Sequence, residues 1–296
     1  MKYLDDKITE IFCDLDEFCI AFTQFLQARS IGNKPKRVPS MSIAEICTIA
    51  ILYHFSRYKS FKYYYFLAVR QGVLKKYFPH AVSYNRFVEL LPRCLIYLYA
   101  YLKCEQCVKG DGILYIDSKK ITVCHNRRIH NHKVFDGIAE RGHCSVGYFF
   151  GFKLFVVLDH KGQLVNFQFT PGNQADNNAD FMVRFLSGLQ GKVFGDKGFI
   201  NAKAWEQLLE QGLQAITKLR SNMKNKLMPL EDKLFLSKRG MIESAFNLMM
   251  TQCGLEHSRH RKPANAFCSM NCALIAYTFL DHLPGILEKV ANFLGS

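Results

Sequence analysis

GILYIDSKKITVC, residues 112–124, is the stretch that decides the fold of this chain. Branched and aromatic residues dominate it and a glycine opens it, which is typical of a β-strand. Asp117 stands inside this predicted strand, directly after four apolar residues. An unpaired, ionised carboxylate in a packed strand is costly. We therefore expect Asp117 to lie beside a cation, within a hydrogen-bond network or at an exposed strand end.

The segments downstream alternate between strand and helix patterns. Two apolar runs, 148–159 and 164–172, flank HKG, a turn signal that predicts a β-hairpin. The remaining predicted elements are, in order, a helix at 176–189, a strand at 192–196, a helix at 202–212, a strand at 214–220 and a helix at 239–250. This order predicts a mixed sheet with helices on its faces. Ribonuclease H-like domains have the same order of strands and helices, so we expect an α/β fold with a ribonuclease H-like catalytic domain.

The first hundred residues have helical patterns instead. Apolar residues from Leu4 to Phe25 recur at three- and four-residue intervals, and Ser42 with Glu45 forms a capping-box signal. Ser83 is the expected cap of a helix whose first residues either read DNA in a helix-turn-helix manner or form an ordinary surface helix end. We expect an all-α N-terminal region at 1–109, able to bind DNA ends, a catalytic domain at 110–284 and a tail at 285–296.

Composition and charge narrow the functional class. The chain has 296 residues, of which 49% are hydrophobic and 22% charged, which excludes a disordered or fibrous protein. A formal net charge of +14 favours a polyanionic partner such as DNA. The 11 cysteines are scattered through apolar runs, a pattern of reduced thiols in the cytoplasm. The N-terminus lacks a signal-peptide pattern and the longest apolar tract, 272–280, is too short for a bilayer, so we expect no membrane association.

Two further carboxylates are expected to join Asp117. Asp196 ends the predicted strand at 192–196, and Glu243 lies on the last predicted helix. In a ribonuclease H-like sheet these positions converge on Asp117. Three like charges repel unless a cation neutralises them, and hard oxygen ligands prefer Mg²⁺ or Mn²⁺. Two such ions about 4 Å apart can activate a water or a 3′-hydroxyl and stabilise the leaving oxygen of a phosphodiester.

Each acid also has a simpler interpretation. Asp196 alone can be a turn residue, and Glu243 can pair with Arg239 one turn earlier. Asp159, before HKG, is expected to be a turn residue, and Asp176 a helix cap. Only the joint placement of Asp117, Asp196 and Glu243 favours catalysis. The glycines on either side of Asp196 are expected to let the backbone turn sharply there.

Positive charge is concentrated around these acids. Residues 215–262 hold ten lysines and arginines against four acids, and residues 118–133 add a second basic cluster. Such clusters suit phosphate binding, although a solvated basic face would look the same. The cations that we expect to contact DNA are Lys119, Lys120, Arg127, Arg128, Lys197, Lys218, Arg220, Lys238, Arg239, Arg259 and Arg261. Lys197 can contact phosphate or pair with a neighbouring acid.

Five blocks of the sequence, in this order, carry a family resemblance: YIDSKKITVCHNRRI, RGHCSVGYFFGFKLF, FTPGNQAD, FGDKGF and RGMIESAFN. They resemble the DDE transposases of bacterial insertion sequences, and the insertion sequence 982 family in particular. The resemblance covers nearly the whole chain. It implies a magnesium-binding triad of Asp117, Asp196 and Glu243 that cleaves the ends of a mobile element and joins them to target DNA. It also implies terminal inverted repeats as partners and a homodimer on DNA.

One departure from related transposases concerns the last acid. A tyrosine and a lysine often flank it at helical spacing, but Leu236 and Met250 occupy those positions here. A lysine at 250 would lie two turns from Glu243 on the same helix face. Candidates to replace it are Lys238, Arg259 and Arg261. The sequence leaves two alternatives to a transposase: a ribonuclease H-like nuclease that does not join DNA, and an inactive DNA-binding protein.

Overall fold

The computed structural model describes residues 2–29, 39–144, 147–218, 228–256 and 260–286. The α-helices are α1 (Lys2–Arg29), α2 (Ile43–Phe55), α3 (Phe61–Tyr64), α4 (Tyr84–Leu90), α5 (Leu95–Tyr101), α6 (Ala179–Leu186), α7 (Ala202–Glu210), α8 (Leu230–Ser237), α9 (Gly240–Asn247) and α10 (Pro263–Thr278). The strands are β1 (Ile113–Cys124), β2 (Glu140–Cys144), β3 (Gly147–Asp159), β4 (Leu164–Pro171), β5 (Gly191–Gly195) and β6 (Leu213–Thr217).

Contacts divide the chain into two compact units. The helical unit comprises Met1–Glu105 and Thr251–Phe279, and the sheet unit comprises Gln106–Met250 and Leu280–Ser296. Helix α10 therefore packs with the N-terminal helices, although it follows the sheet in sequence. The sequence analysis divided the chain by function, into an N-terminal region, a catalytic domain that begins at 110 and ends at 284, and a tail. This functional division stays a prediction.

Two almost fully buried helices form the centre of the helical unit. Helices α2 and α10 are apolar around nearly their whole circumference and pack against each other, as helices inside a core do. The predicted capping box starts α2: the Glu45 backbone N–H donates to Ser42 Oγ at 3.0 Å, and the Ser42 N–H donates to Glu45 Oε2 at 2.6 Å. Ser83 caps α4 as predicted, by accepting a hydrogen bond from the Arg86 N–H.

The sheet is mixed and has the order β2-β3-β1-β5-β6, with β4 paired to β3. Strand β3 is antiparallel to β1, β2 and β4, whereas β5 is parallel to both β1 and β6. The predicted hairpin at HKG is present, and Asp159 accepts the backbone N–H groups of Lys161 and Gln163, as expected of a turn residue. Strand β1 thus lies between an antiparallel and a parallel neighbour.

The pleat of β1 assigns its side chains to two different layers. Leu114 and Ile116 belong to a buried cluster with Phe181 of α6 and Leu208 of α7. Tyr115 is on the opposite face, where its hydroxyl donates to the Phe235 carbonyl of α8 at 3.1 Å. Since alternate residues share a face, Asp117 is on the α8 side of the sheet.

Strand β5 repeats this arrangement beside β1. The ring of Phe194 stacks on Tyr115 at 5.6 Å and contacts Phe235 at 5.7 Å, so Phe194 faces α8. Lys192, two residues earlier, pairs with the buried Asp232 of α8 at 2.7 Å. Asp196 follows Phe194 by two residues at the end of β5, and the same alternation places it on the α8 side.

Three sequence-based expectations are wrong in detail. Residues 140–144 form the edge strand β2, which no predicted element covered. Asp176 is not a helix cap, because the Asn178 side chain accepts the Phe181 N–H at the start of α6. Neither Gly195 nor Gly198 has a positive φ, so neither supplies a left-handed turn beside Asp196.

The cysteines and the helices of the described residues concern two further expectations. All 11 cysteines are free thiols. No described helix combines the length and the apolar character that a membrane crossing requires. Arg220 and Arg259 lie outside the described residues, as does most of the predicted tail.

We predict that Gly195→Ala destabilises the sheet unit and Gly198→Ala does not. A Cβ at Gly195 would meet Ile116 Cγ2 at 2.9 Å, whereas a Cβ at Gly198 meets nothing within 4 Å. Overpacking of this kind costs about 1–3 kcal/mol. Urea denaturation of both variants measures the difference. Equal stability of the two would contradict the proposed role of Gly195 in close packing of β5 on β1.

Candidate active site

Asp117 is the most enclosed of the three predicted acids. It is partly buried at the middle of β1, where the Ser118 backbone N–H donates to its Oδ1 at 2.8 Å. Burial raises the pKa of its carboxyl to about 6, and the nearby charges of Asp196 and Glu243 add to this increase. The positive charge of Arg239 opposes it. Asp117 is therefore within electrostatic reach of all three other side chains.

Arg239 connects the two remaining acids. Its Nη1 lies 3.3 Å from Asp196 Oδ1, and its Nη2 lies 3.2 Å from Glu243 Oε1. The arginine side chain is 19% exposed, whereas those of Asp196 and Glu243 are 49% and 65% exposed. The guanidinium thus lies inside the group of acids, and the carboxylates form its outer rim.

Three separate segments bring these groups together. Asp196 starts the 3₁₀ turn Lys197–Phe199 after β5, with its side chain not used as a cap. Glu243 is in the first turn of α9, which packs against β1. Arg239 immediately precedes α9, one turn before Glu243. The parallel pairing of β1 with β5 and the packing of α9 on β1 together create the cluster.

The donor set is all carboxylate oxygen, which suits a hard divalent cation. Among the described residues, no three His, Cys, Asp or Glu side chains are close enough to hold one metal ion together. Arg239 is bound between two of these acids, Asp196 and Glu243. A divalent ion would therefore compete with the guanidinium for these two carboxylates.

The predicted DNA-binding cations are mostly exposed, but they do not form one group. Lys119 shares the sheet face of Asp117 by alternation, whereas Lys120 is on the other face. Five more of the predicted cations are exposed and belong to the sheet unit: Arg127, Arg128, Lys197, Lys218 and Lys238. Arg261 belongs to the helical unit instead. Arg239 differs from all of these, because two carboxylates hold its guanidinium.

Asp176 and Lys153 form an ion pair that the sequence analysis missed. Lys153 is buried in β3, and its Nζ lies 3.1 Å from Asp176 Oδ1 and 2.9 Å from the Gln174 carbonyl. The Ser118 hydroxyl also donates to Asp176 at 3.0 Å. The signal was a lysine in the apolar run FFGFKLFVV, since a buried ammonium needs a carboxylate partner.

The helix after Glu243 does not continue with α-helical spacing. Residues Leu248–Gln252 are π-helical, which shifts the helix faces relative to an α-helix. The α-helical spacing on which the expectation for position 250 was based therefore does not hold along the whole stretch from Glu243 to Met250. Leu236, at the expected tyrosine position, is buried on α8.

One comparison with known proteins, the match to a family model, identifies a class. Residues 107–263 match a family model described as "Transposase DDE domain". A solved structure, the cryo-EM synaptic complex of piggyBac transposase with hairpin DNA, has a TM-score of 0.45 and 12% identity, covering 96% of this chain and 76% of that one. This likeness is too loose to decide either fold or function. No curated protein sequence matches the chain.

We predict that Asp117→Asn stabilises the protein at neutral pH. A carboxyl whose folded pKa is raised to about 6 destabilises the folded state once it ionises, so wild-type stability falls as the pH rises from about 4 to above 6. Asparagine does not ionise, so the variant does not lose stability as the pH rises. We expect its free energy of unfolding at pH 7.5 to exceed that of wild type by roughly 1–2 kcal/mol.

Urea denaturation at pH 5 and pH 7.5 tests this prediction. The difference between the proteins should be larger at pH 7.5 than at pH 5, since the wild-type carboxyl is more ionised there. A variant less stable than wild type at pH 7.5 would show that Asp117 is stabilised in its ionised form.

Proposed function

The chain belongs to the family of transposase DDE domains and is a DDE-type DNA transposase, and we propose that Asp117, Asp196 and Glu243 are its catalytic acids. The single observation that carries this proposal is the shared guanidinium of Arg239. Asp196 at the end of β5 and Glu243 of α9 pair with one cation, and Asp117 of β1 lies within electrostatic reach of it, although long stretches of sequence separate the three acids. Turn or surface ion-pair roles for single acids do not account for this convergence.

The proposed chemistry is in-line phosphoryl transfer. Asp117, Asp196 and Glu243 would hold divalent ions, with Mg²⁺ or Mn²⁺ favoured by the carboxylate donors, and such ions would supply positive charge for an attacking oxygen and a leaving oxygen. Two ions are expected, as in other sites that cut phosphodiesters. The chain's own contribution is to hold three carboxylates together on one side of the sheet. Partial burial keeps Asp117 in need of a cation, because its ionised form is poorly solvated.

The finer assignment of fold and family is also part of the proposal. The strand order, with β1 between antiparallel β3 and parallel β5, supports a ribonuclease H-like domain. The five sequence blocks support the bacterial insertion sequence 982 family. Action on the chromosome would place the protein in the bacterial cytoplasm, at the nucleoid.

We propose that DNA approaches the acids along the exposed cations of the sheet unit. Lys119 shares the face of Asp117, and Lys197 and Lys238 are close in sequence to Asp196 and Arg239. Release of Arg239 from its carboxylates would make a further guanidinium available to a phosphate. The expected substrates are the terminal inverted repeats and target DNA, bound by a homodimer because two element ends must be joined together.

We predict that Asp196→Asn abolishes cleavage and joining of labelled element-end DNA in the presence of Mg²⁺. Loss of an outer-shell partner of a metal ligand already costs about 10–100-fold, so loss of the ligand itself should cost more. DNA binding should persist, because the exposed cations remain.

Asp180→Asn is the matched control for this experiment. Asp180 is an exposed carboxylate in the first turn of α6, on the other side of the sheet, and its substitution should leave activity unchanged. Cleavage by the Asp196 variant at the wild-type rate would exclude Asp196 from the catalytic site. Wild-type cutting without joining would indicate a nuclease.

We predict that Arg239→Ala strengthens Mn²⁺ binding about two- to tenfold, because the variant removes a cation that competes for Asp196 and Glu243. Electron paramagnetic resonance of free Mn²⁺ measures the affinity without any reaction. Arg184→Ala, an exposed arginine on α6, is the control and should have no effect. Weaker Mn²⁺ binding by the Arg239 variant would show that the arginine orients the carboxylates rather than competing for them.

A further inference from the structure

The helical unit contains a cavity that none of the catalytic acids lines. Its volume is about 590 Å³, and its walls come from α2, residues 59–62, α4, residues 260–262 and α10. All these segments belong to the helical unit. The volume lies within the range of roughly 300–1,000 Å³ that small-ligand sites occupy. The helical unit therefore has room for a ligand of its own.

The rim of this cavity is strongly basic. Lys59, Lys62, Arg261 and Lys262 line it, and all four are exposed. No carboxylate is among the lining residues. Four cations from two distant segments, with no acid among the lining residues, attract an anion. Phosphate is the anion that lysine and arginine bind in nucleic acids.

The wall next to these cations is aromatic. Tyr53, Phe61 and Tyr84 line the cavity and contact one another through Phe61, with ring centroids 5.2 Å and 6.4 Å apart. Aromatic side chains beside cations provide stacking surfaces for unpaired bases, and every base has a face that can stack. Charge and aromatic surface together fit a nucleotide better than they fit an inorganic anion.

A buried polar group lines the interior. Asn265 is only 5% exposed, and its Nδ2 donates to the Val88 carbonyl at 3.4 Å. Its Oδ1 has no hydrogen-bond partner among the described residues. This oxygen has less than 1 Å² of accessible surface, so it is closed off from the cavity as well as unpaired.

The cavity wall opposite the rim is held in place by a hydrogen-bond chain. His54 is buried, and its Nδ1 must donate to the Cys253 carbonyl, 2.6 Å away, because a carbonyl only accepts. In the neutral ring Nε2 then accepts from the Ser269 hydroxyl, 3.4 Å away. The contact with Ser269 ties α2 to α10, and both His54 and Ser269 line the cavity.

We propose that this cavity binds one unstacked nucleotide of a DNA substrate. The phosphate lies against Lys59, Lys62, Arg261 and Lys262, and the base lies against the aromatic wall. The proposal rests on the action of the chain on DNA, but not on the identity of its catalytic acids. A free nucleoside monophosphate has the same chemistry, and the experiment separates the two sources.

The test compares the binding of two fluorescent DNAs by the full chain. One is a blunt 20-base-pair duplex, and the other carries in addition an unpaired three-thymidine overhang. Anisotropy is measured with EDTA present, so that neither metal nor cleavage contributes. We expect the overhang to increase the affinity of wild type at least about fivefold, the lower end of the effect of stacking one base.

Two variants locate the gain in the cavity. Lys62→Ala with Arg261→Ala removes two rim cations, and Tyr84→Leu removes an aromatic face while keeping an apolar side chain. Each should abolish the preference for the overhang. The control, Lys75→Ala with Arg93→Ala, removes two exposed cations of the same unit that do not line the cavity, and should keep the preference.

The outcomes decide the proposal. A preference that is absent in wild type, or retained in both cavity variants, overturns it. If thymidine monophosphate binds to wild type and the overhang gives no gain, the ligand is a free nucleotide and the DNA proposal is wrong. Loss of cleavage in Asp196→Asn with the overhang preference intact would separate this site from the catalytic one.

Discussion

Strand β1 is the element on which the arrangement of the sheet unit depends. Its antiparallel pairing with β3 and its parallel pairing with β5 fix its register on both sides. The pleat then directs Leu114 and Ile116 to one layer of helices, and Tyr115 and Asp117 to the other. A shift of one residue would exchange these faces and bury Asp117 among the aromatic rings packed against α6 and α7. The apolar residues of β1 therefore hold its carboxylate in place.

Charge compensation is the second constraint on the site. Three carboxylates on one side of the sheet repel one another and destabilise the fold. Arg239 reduces this cost by pairing with Asp196 and Glu243 and by opposing the increase in the pKa of Asp117. The same arginine also occupies two of the carboxylates that a metal ion would need. Arg239 therefore stabilises the protein without a metal ion, but it opposes the binding of a divalent ion at the same carboxylates.

The helical unit shows how distant segments combine to form a surface. Arg261 and Lys262 are nearly 200 residues from Lys62 in sequence, yet they line the same cavity. The sequence suggested basic clusters near the acids, but Arg261 belongs to the unit built around α2 and α10. The aromatic residues around Phe61 fill the space between the chain segments and supply the cavity wall.

Much of the fold could be predicted from local patterns, since these depend on near neighbours in the chain. The alternation of β1, the hairpin at HKG, the capping box at Ser42 and the cap at Ser83 all appear in the structure. Strand β2 escaped prediction because its sequence, ERGHC, lacks apolar alternation, and β2 is held by pairing with β3. The role of Asp176 could not be predicted because its partner, Lys153, lies on β3 and is distant in sequence.

The sequence by itself determined the class of the protein: its mixed α/β pattern, its basic charge and the order of its acidic blocks are properties of the chain alone. Only the tertiary structure decided that Arg239 lies between Asp196 and Glu243, that α10 packs with the N-terminal helices and that four cations line one cavity. The physical reason is that ion pairs and helix packing act between residues that are close in space, and their distance along the chain does not limit them.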